Sequence, residues 1–251
     1  MNKILVVGDS CTDIFIYGDI NRLSPEAPVP VFNPIKKVKN GGMSKNVVAN
    51  LKSLGCEVDI ITNIDEIRKK RYVHIDTNQM IVRVDEDDRC EQIDEALRMN
   101  ICNNRYQGKD YDAIIISDYC KGFLEELDIE ALCKSNENVF MDTKKIFGKW
   151  ATHADYIKIN SLEFDRNKNI IPNYPELNEK LIVTRGRYGC SFRDKLYPVE
   201  EVPVKDVSGA GDTFLSALVS EYLNSKDIEL AIRFAQICTT KVVQKHGVST
   251  I

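Results

Sequence analysis

The sequence predicts an α/β sandwich built around a mostly parallel sheet. Apolar runs rich in β-branched residues alternate along the chain with segments of helical periodicity. Strands that are apolar throughout are typical of parallel sheets, because helices cover both faces of such a sheet. The chain has 251 residues, of which 43% are hydrophobic, and this size suits one domain. We therefore expect a single domain over residues 1–251.

The sequence pattern predicts five buried strands and four helices. The strands are Ile4–Val7, Val58–Thr62, Ala113–Ile116, Asn138–Met141 and Leu181–Thr184. The helices are Ser44–Leu54, Glu125–Lys134, Gly211–Asn224 and Glu229–Val243. Strand–helix alternation of this kind is typical of an α/β sandwich.

Two stretches break this alternation and look extended instead. Tyr17–Lys39 contains four prolines, and Tyr72–Asp85 shows partial alternation of polar and apolar residues. We expect them to form a small β lid that projects from the sandwich, with strands drawn from about residues 15–39 and 70–86. The basic run Arg68–Arg71 lies beside the second stretch. Its simplest interpretation is a solvated turn or strand edge, and the alternative is a contact to an anionic substrate.

Charge and cysteine content argue against several classes of function. The formal net charge is −4, from 34 basic and 38 acidic residues mixed along the chain, which argues against nucleic acid as a partner. No two of the eight cysteines are spaced closely enough for a zinc or redox motif, and free thiols fit a reducing cytosol. No segment resembles a targeting signal or a membrane span. We expect a cytoplasmic protein that binds neither nucleic acid nor membrane.

The stretch Asp206–Phe214 contains the most informative motif, Gly209-Ala210-Gly211-Asp212. Its glycines allow a tight turn and a close approach of the backbone to a ligand. The turn opens a helix whose first N–H groups are unpaired, which makes a site for an anion. Phosphoryl transfer needs such donors and a carboxylate that orients and deprotonates the attacking hydroxyl. Asp212 is the candidate carboxylate; the plainer interpretation is a glycine turn with Asp212 as a helix cap.

Together with three further motifs in order along the chain, this turn resembles the ribokinase-like, or PfkB, family of carbohydrate kinases. The three are Gly41-Gly42-Met43-Ser44-Lys45-Asn46, Asn160-Ser161-Leu162-Glu163 and Thr184-Arg185-Gly186-Arg187-Tyr188-Gly189. They are similar to the family's sugar-contact signature, its NxxE motif and its TxGxxG turn. The resemblance covers nearly the whole chain and implies a three-layer αβα sandwich with a ribokinase-like central sheet.

The resemblance also implies roles for individual residues. The catalytic base would be Asp212, with an anion hole formed by Gly209, Ala210 and Gly211. The sugar contacts would be Gly41, Gly42 and Asn46, and the nucleotide contacts Thr184, Gly186 and Gly189. Asn160 and Glu163 would act on Mg²⁺ and phosphate through waters, and Asp206 would lie near a monovalent cation such as K⁺. The implied phosphoryl donor is ATP, with Mg²⁺ as cofactor.

Within the family, the sequence closely resembles bacterial D-glycero-β-D-manno-heptose-7-phosphate kinases. Arg22–Val31, Asn78–Asp85 and Ser117–Gly122 carry this similarity. It implies phosphorylation of the anomeric hydroxyl of a heptose 7-phosphate to give the 1,7-bisphosphate. The implied further substrate contacts are Asp13, Lys144, Arg22 and Lys121. The plainer interpretations are a turn residue for Asp13 and a surface lysine for Lys144.

The chain departs from the family pattern after about residue 63. Relatives carry a helix–strand segment there, whereas Asn63–Ile67 leads straight into the basic run. We therefore expect a compact variant that keeps its catalytic motifs but whose acceptor is less determined. We also expect no nucleotidyltransferase domain of the kind that bifunctional relatives carry. Lids in this family often pair between two subunits, which implies a homodimer through the β lid.

Two alternative functions stay open on the sequence. The first is a kinase of the same family that acts on another sugar, sugar phosphate or nucleoside. The second is a non-catalytic sugar- or nucleotide-binding protein on a kinase scaffold. The shortened segment motivates the second alternative, and the intact motifs around Asp212 and Glu163 argue against it.

Overall fold

The computed structural model describes residues 1–102, 108, 110–245, 247 and 249–251. The strands in this part of the chain are β1 Lys3–Gly8, β2 Ser10–Leu23, β3 Pro30–Met43, β4 Glu57–Ile61, β5 Ile67–His74, β6 Met80–Glu86, β7 Ala113–Asp118, β8 Val139–Thr143, β9 Tyr156–Asn160, β10 Leu181–Thr184, β11 Cys190–Phe192 and β12 Lys195–Tyr197. The α-helices are α1 Ser44–Ser53, α2 Glu95–Cys102, α3 Glu126–Cys133, α4 Ser161–Asn167, α5 Ala210–Ser225 and α6 Ile228–Val242. Short 3-10 helices span Lys149–His153, Ile171–Asn173, Pro175–Glu179 and Gly186–Tyr188.

The central sheet has the strand order β12-β11-β10-β9-β8-β7-β1-β4. The six strands from β10 to β4 pair in parallel, and β11 and β12 add an antiparallel hairpin at one edge. All five predicted strands and all four predicted helices are present, with bounds that differ by at most two residues. The prediction of a mostly parallel sheet is therefore confirmed.

Helices cover the sheet on both sides and form two hydrophobic cores. One core joins α2, α3 and α4 to one face of the sheet, and Leu5 and Val7 of β1 point into it. The other core joins α1, α5 and α6 to the opposite face, where Ile4 and Val6 are buried. Alternate residues of one strand thus enter different cores, which explains why the strand is apolar throughout. The chain has the predicted three-layer αβα architecture.

A second sheet forms the lid, with the strand order β3-β2-β5-β6. Strands β2 and β5 pair in parallel, as β1 and β4 do in the central sheet. The single residue Asp9 joins β1 to β2, and residues 62–66 join β4 to β5. The lid therefore continues the two strands at one edge of the central sheet. Its strands begin earlier than predicted, at Ser10 and Ile67.

The short connection before β5 is held in place by one amide. The Asn63 side chain accepts a hydrogen bond from Ser10 N at 2.7 Å and donates to Ser10 O at 3.2 Å and Asp65 O at 2.6 Å. These contacts tie the start of β5 to the start of β2. The chain therefore enters the lid directly from β4, as expected for a compact variant, and β4 forms an edge of the central sheet.

The basic run lies inside the lid sheet, where β5 pairs with strands on both sides. Its burial alternates, so Lys69 and Arg71 are buried while Arg68 and Lys70 point to the other face. The interpretation of this run as a solvated turn or strand edge is wrong for Lys69 and Arg71. Among the described residues, no helix is both long and apolar enough to span a bilayer.

Candidate active site

The motif Gly209-Ala210-Gly211-Asp212 forms the start of α5, as predicted. Gly209 has φ 80 and ψ 0, a left-handed conformation that glycine adopts without steric cost. Asp212 lies in the first helical turn and is 5% exposed. Apolar residues from Phe214 onward bury the helix in the core. The core therefore fixes the position of the turn and of the carboxylate beside it.

Both oxygens of the Asp212 carboxylate accept hydrogen bonds from distant parts of the chain. Asn46 Nδ2, at the start of α1, donates to Oδ2 at 2.8 Å. The Tyr119 hydroxyl, in the loop after β7, donates to Oδ1 at 2.7 Å. Burial raises the pKa of Asp212, and these two hydrogen bonds oppose that shift because they stabilise the ionised form. The carboxylate is held in one orientation with a pKa above its ordinary value.

Asp13 of the lid lies beside Gly42, at the end of β3 that leads into α1. Its carboxylate is buried and forms an ion pair with Arg71 on the adjacent strand β5. Gly42 allows this packing, because a Cβ at Gly42 would lie 2.2 Å from Asp13 Oδ2 and 2.6 Å from Cys11 Sγ. The turn residue interpretation of Asp13 is thus wrong, since Asp13 lies within β2.

The predicted NxxE residues form the first turn of α4. Asn160 caps the helix, and the Glu163 carboxylate accepts two hydrogen bonds from Asn160. Asn160 N donates to Oε2 and Asn160 Nδ2 donates to Oε1, both at 2.8 Å. Glu163 is buried and also pairs with Lys144. Its lone pairs are therefore engaged, which suits Mg²⁺ held through its own waters better than a direct bond. No group of three or more metal-ligating side chains occurs within the described ranges, and Mg²⁺ commonly relies on few protein ligands plus substrate phosphates.

A buried ion pair lies directly beneath the glycine turn. Lys158 of β9 is 3% exposed and pairs with Asp142 of β8, which is 1% exposed. A Cβ at Gly211 would lie 2.9 Å from Lys158 Nζ. The ammonium of Lys144 lies 3.3 Å from the same Asp142 carboxylate. The lysine predicted at position 144 thus belongs to a buried charge network, which contradicts its interpretation as a surface residue.

A cavity of about 440 Å³ opens on the other side of the turn. The predicted nucleotide residues Thr184, Gly186 and Gly189 line it together with Ala210 and Gly211 of the turn. Its remaining lining is largely apolar and comes mainly from Val202, Val204, Val207, Phe214 and Val243. An apolar cavity that ends at a helix start suits a nucleotide, because the base can be buried while the phosphates reach the N–H groups.

Three other predicted site residues lie outside the group of side chains that contact Asp212. Asp206 accepts hydrogen bonds from Ser208 N at 2.8 Å and Gly247 N at 3.1 Å, and so ties the turn to the chain end. Lys121 pairs with Asp88 at 2.5 Å. Arg22 is exposed near the far end of β2, roughly 30 Å along the strand from Asp13. The structure does not bring Arg22 to the Asp212 cluster.

Sequence reasoning assigned no role to Tyr119, Lys158 or Asp142, and it considered Lys69 only as part of the basic run Arg68–Arg71. Lys158 carried a usable signal, because a lysine in the middle of a buried parallel strand requires an internal partner. Tyr119 carried none beyond its place in the similar stretch Ser117–Gly122. Its role depends on a contact with a residue 93 positions away in the chain.

Solved structures share this fold over almost the whole chain. Phosphofructokinase-2 from Escherichia coli in complex with potassium has a TM-score of 0.73 at 13% identity and covers 99% of this chain and 94% of its own. A nucleoside kinase from Methanocaldococcus jannaschii has a TM-score of 0.68 at 18% identity, covering 99% and 93%. At these identities the similarity shows a shared fold, which is the fold of these two kinases. Residues 72–251 match the family model of the pfkB family carbohydrate kinase, and the chain belongs to that family.

Two curated relatives extend the comparison to nearly the whole chain. The bifunctional protein HldE of Helicobacter acinonychis is 31% identical over 297 residues, covering 98% of this chain and 64% of that protein. HldE of a Nitratiruptor species is 32% identical over 294 residues, covering 99% and 63%. The chain therefore spans slightly less than two thirds of these relatives. The alignments are longer than the 251 residues of the chain, so the relatives contain segments without a counterpart here.

Proposed function

We propose that this protein transfers the γ-phosphoryl group of ATP to the anomeric hydroxyl of a heptose 7-phosphate, giving the 1,7-bisphosphate and ADP. The hydroxyl oxygen forms the new P–O bond, the bond to the ADP oxygen breaks, and Asp212 accepts the hydroxyl proton. The observation that carries this proposal is the position of Asp212. It is hydrogen-bonded to Asn46 and directly follows Gly211, which lines the cavity.

The other site residues divide between the two substrates. Asp13, Gly41, Gly42 and Asn46 contact the sugar, and Thr184, Gly186 and Gly189 contact the nucleotide. The N–H groups of Gly209, Ala210 and Gly211 stabilise charge on the transferring group. Mg²⁺ would neutralise the nucleotide phosphates, with Asn160 and Glu163 acting through its waters.

Two observations support a phosphorylated seven-carbon acceptor over other family substrates. The relatives named HldE match nearly the whole chain, whereas the nucleoside kinase of known structure is only 18% identical. Three cations also surround Asp13 and Tyr119, namely Arg71 and Lys69 on the lid and Lys144 in the loop after β8, which suits an anionic sugar better than a nucleoside.

The test is ADP release from ATP and Mg²⁺ with D-glycero-D-manno-heptose 7-phosphate, fructose 6-phosphate, ribose and adenosine as acceptors. We expect a kcat/KM for the heptose phosphate at least about tenfold above that for any other acceptor, the discrimination that one charged contact provides. Equal or higher turnover with another acceptor would replace the heptose assignment within the same family. Nucleotide binding without turnover of any acceptor would favour a non-catalytic binding protein. Assays with and without K⁺ test whether Asp206 lies beside a monovalent cation.

Tyr119 is expected to control the pH dependence of turnover. A general base must be ionised, so activity is present above the pKa of Asp212 and is lost as the pH falls through it. Tyr119→Phe removes a hydrogen bond to the ionised carboxylate, which raises that pKa and moves the acid limb of kcat/KM to higher pH. We also expect kcat/KM at pH 7 to fall by about tenfold, the size of one charge-assisted hydrogen bond.

A matched control for this pH profile is Tyr111→Phe. The Tyr111 hydroxyl also donates to a carboxylate, Asp59 Oδ2 at 2.8 Å, but on the strand β4 away from Asp212. The acid limb of kcat/KM for Tyr111→Phe should coincide with that of the wild type. An unshifted limb for Tyr119→Phe would show that Asp212 does not titrate as the base.

The outer face of the lid supports a homodimer. Val82 and Val84 of β6 are 48% and 38% exposed, and they share this face with Phe32 and Tyr72, whose rings pack edge to face. Burying such a face against a second copy would be favourable. We expect light scattering to give the mass of a dimer and Val82→Asp to give a monomer. Leu127→Asp, which charges an exposed leucine on α3, should leave the dimer intact; a wild-type monomer at high concentration contradicts the proposal.

A further inference from the structure

The inner face of the lid and the loops beneath it carry a cluster of cations. Most of these cations have an acidic partner: the pairs are Arg71 with Asp13, Arg83 with Asp85, Lys121 with Asp88 and Lys144 with Glu163. The Arg83–Asp85 pair is bidentate, with nitrogen–oxygen distances of 2.6 and 2.7 Å. The two charges in each of these pairs cancel. The remaining positive charge of the cluster is that of Lys69.

Lys69 is the exception in this cluster. Its side chain is only 7% exposed, and it forms no hydrogen bond or ion pair with any residue that the structure describes. Its ammonium lies 5.5 Å from the centroid of the Tyr119 ring, whose hydroxyl is bonded to Asp212. The unmatched charge therefore lies one aromatic side chain away from the proposed base.

An unpaired buried ammonium costs several kcal/mol, because the protein does not replace the water that it loses. Burial lowers the pKa of Lys69, and the positive charges of Arg83 and Lys121 lower it further, although Cys11 and the Asp13 carboxylate, itself paired with Arg71, oppose this shift. Lysine is almost never buried without a partner. The other cations of the cluster are paired, and Lys69 is not. This indicates that the counter-charge of Lys69 is on a ligand.

We propose that Lys69, flanked by Arg83 and Lys121, binds the phosphate group that the acceptor sugar already carries. This inference rests on the proposed function and assigns its acceptor specificity to a site on the lid. A phosphate dianion gives Lys69 its missing counter-charge and has oxygens to spare for the two neighbouring cations. A sugar without this phosphate leaves the ammonium unpaired in a closed site, which selects against that sugar.

The nucleotide phosphates are the other possible source of an anion. The cavity lined by Thr184, Gly186 and Gly189 lies beside α5 and α6, whereas Lys69 lies on the lid strand next to Asp13. Lys69 is thus on the side of the site that contacts the sugar. The two sources are separated experimentally by the KM for the acceptor and the KM for ATP.

The test compares Lys69→Met with Lys70→Met. Lys70 is the next residue of β5, points to the opposite face and pairs with Glu86. The acceptors are D-glycero-D-manno-heptose 7-phosphate and the same heptose without phosphate. For Lys69→Met we expect kcat/KM for the phosphorylated sugar to fall on the order of 10- to 100-fold, the size of a lost charge-assisted contact. The kcat/KM for the unphosphorylated sugar and the KM for ATP should change by less than about twofold, as should all values for Lys70→Met.

A stability measurement separates this role from a structural one. Replacing an unpaired buried charge by an apolar side chain of similar length removes a desolvation cost, so Lys69→Met should unfold at the same temperature as the wild type or higher. A lower unfolding temperature together with equal losses for both sugars would assign Lys69 to the fold and overturn the inference. A higher KM for ATP with an unchanged KM for the sugar phosphate would overturn it as well, because the anion would then belong to the nucleotide.

Failure of the proposed function would be recognised separately. If the wild type turns over neither sugar, calorimetric titration of heptose 7-phosphate without ATP still measures the lid site. Binding that Lys69→Met weakens by about tenfold or more, the size of a lost charge-assisted contact, supports the inference even then. Equal binding by both proteins, or no binding by the wild type, overturns it.

Discussion

Asp212→Asn is expected to lower kcat by about 10²- to 10⁴-fold, the usual contribution of a general base. The asparagine keeps the size of the side chain but cannot accept the proton of the attacking hydroxyl. The same change removes a buried carboxylate whose pKa is raised by burial, so the variant should be at least as stable as the wild type. Lost turnover with an unchanged or higher unfolding temperature is the expected combination.

Asp227→Asn is the matched control for this prediction. Asp227 caps the neighbouring helix α6, where it accepts hydrogen bonds from Glu229 N at 2.8 Å and Leu230 N at 3.1 Å. Asparagine is an equally good cap, so both kcat and stability should stay close to the wild-type values. Full activity in Asp212→Asn would rule out Asp212 as the base. Lost activity accompanied by unfolding would point to a structural role instead.

Lys158→Met is expected to cause the largest loss of stability. Although burial opposes it, the ammonium groups of Lys158 and Lys144 hold the pKa of Asp142 below its ordinary value. Removing Lys158 leaves the Asp142 carboxylate buried with only its more distant partner, Lys144 at 3.3 Å. Breaking a buried ion pair in this way costs about 3–5 kcal/mol. Denaturant unfolding at pH 7 should show a decrease of that size in the free energy of unfolding.

The pH dependence and a second substitution identify the cause of this loss. In the wild type, Asp142 has a lowered pKa, so its contribution is present above the unfolded-state pKa and is lost as the pH falls through the folded-state value. In Lys158→Met the carboxyl can protonate more easily, so the difference from the wild type should shrink towards acidic pH. Adding Asp142→Asn should restore part of the stability at pH 7, because no unpaired carboxylate remains.

Lys134→Met gives the comparison for an exposed pair. Lys134 pairs with Glu130 one helical turn away, and its side chain is 52% exposed. Such pairs contribute between 0 and about 1 kcal/mol, so this variant should be close to the wild type. A similarly small effect for Lys158→Met, or no recovery in the double variant, would contradict the assignment of a buried, mutually dependent pair.

The sequence predicted the central sheet well because its signals are local. β-Branched runs such as Ile4–Val7 and Ala113–Ile116 have no polar alternation, and only burial on both faces explains that pattern. The glycine turn before Asp212 was predictable for a similar reason, since the turn and the helix that follows it are contiguous. Three strands of the sheet were missed: Lys158 interrupts the apolar pattern of β9, and β11 and β12 have only three residues each.

The tertiary structure decided which side chains meet at Asp212. Asn46 and Tyr119 lie 166 and 93 residues away from it along the chain, and no local pattern encodes their hydrogen bonds. The face of each residue in Arg68–Arg71 was equally undetermined, because four consecutive basic residues have no apolar side to set the register. Pairing of β5 with β2 and β6 turned Lys69 and Arg71 inward. The sequence by itself thus determined the layers of the fold and the glycine turn before Asp212. Which charged side chains lie near that turn was determined only by the pairing of strands that are distant along the chain.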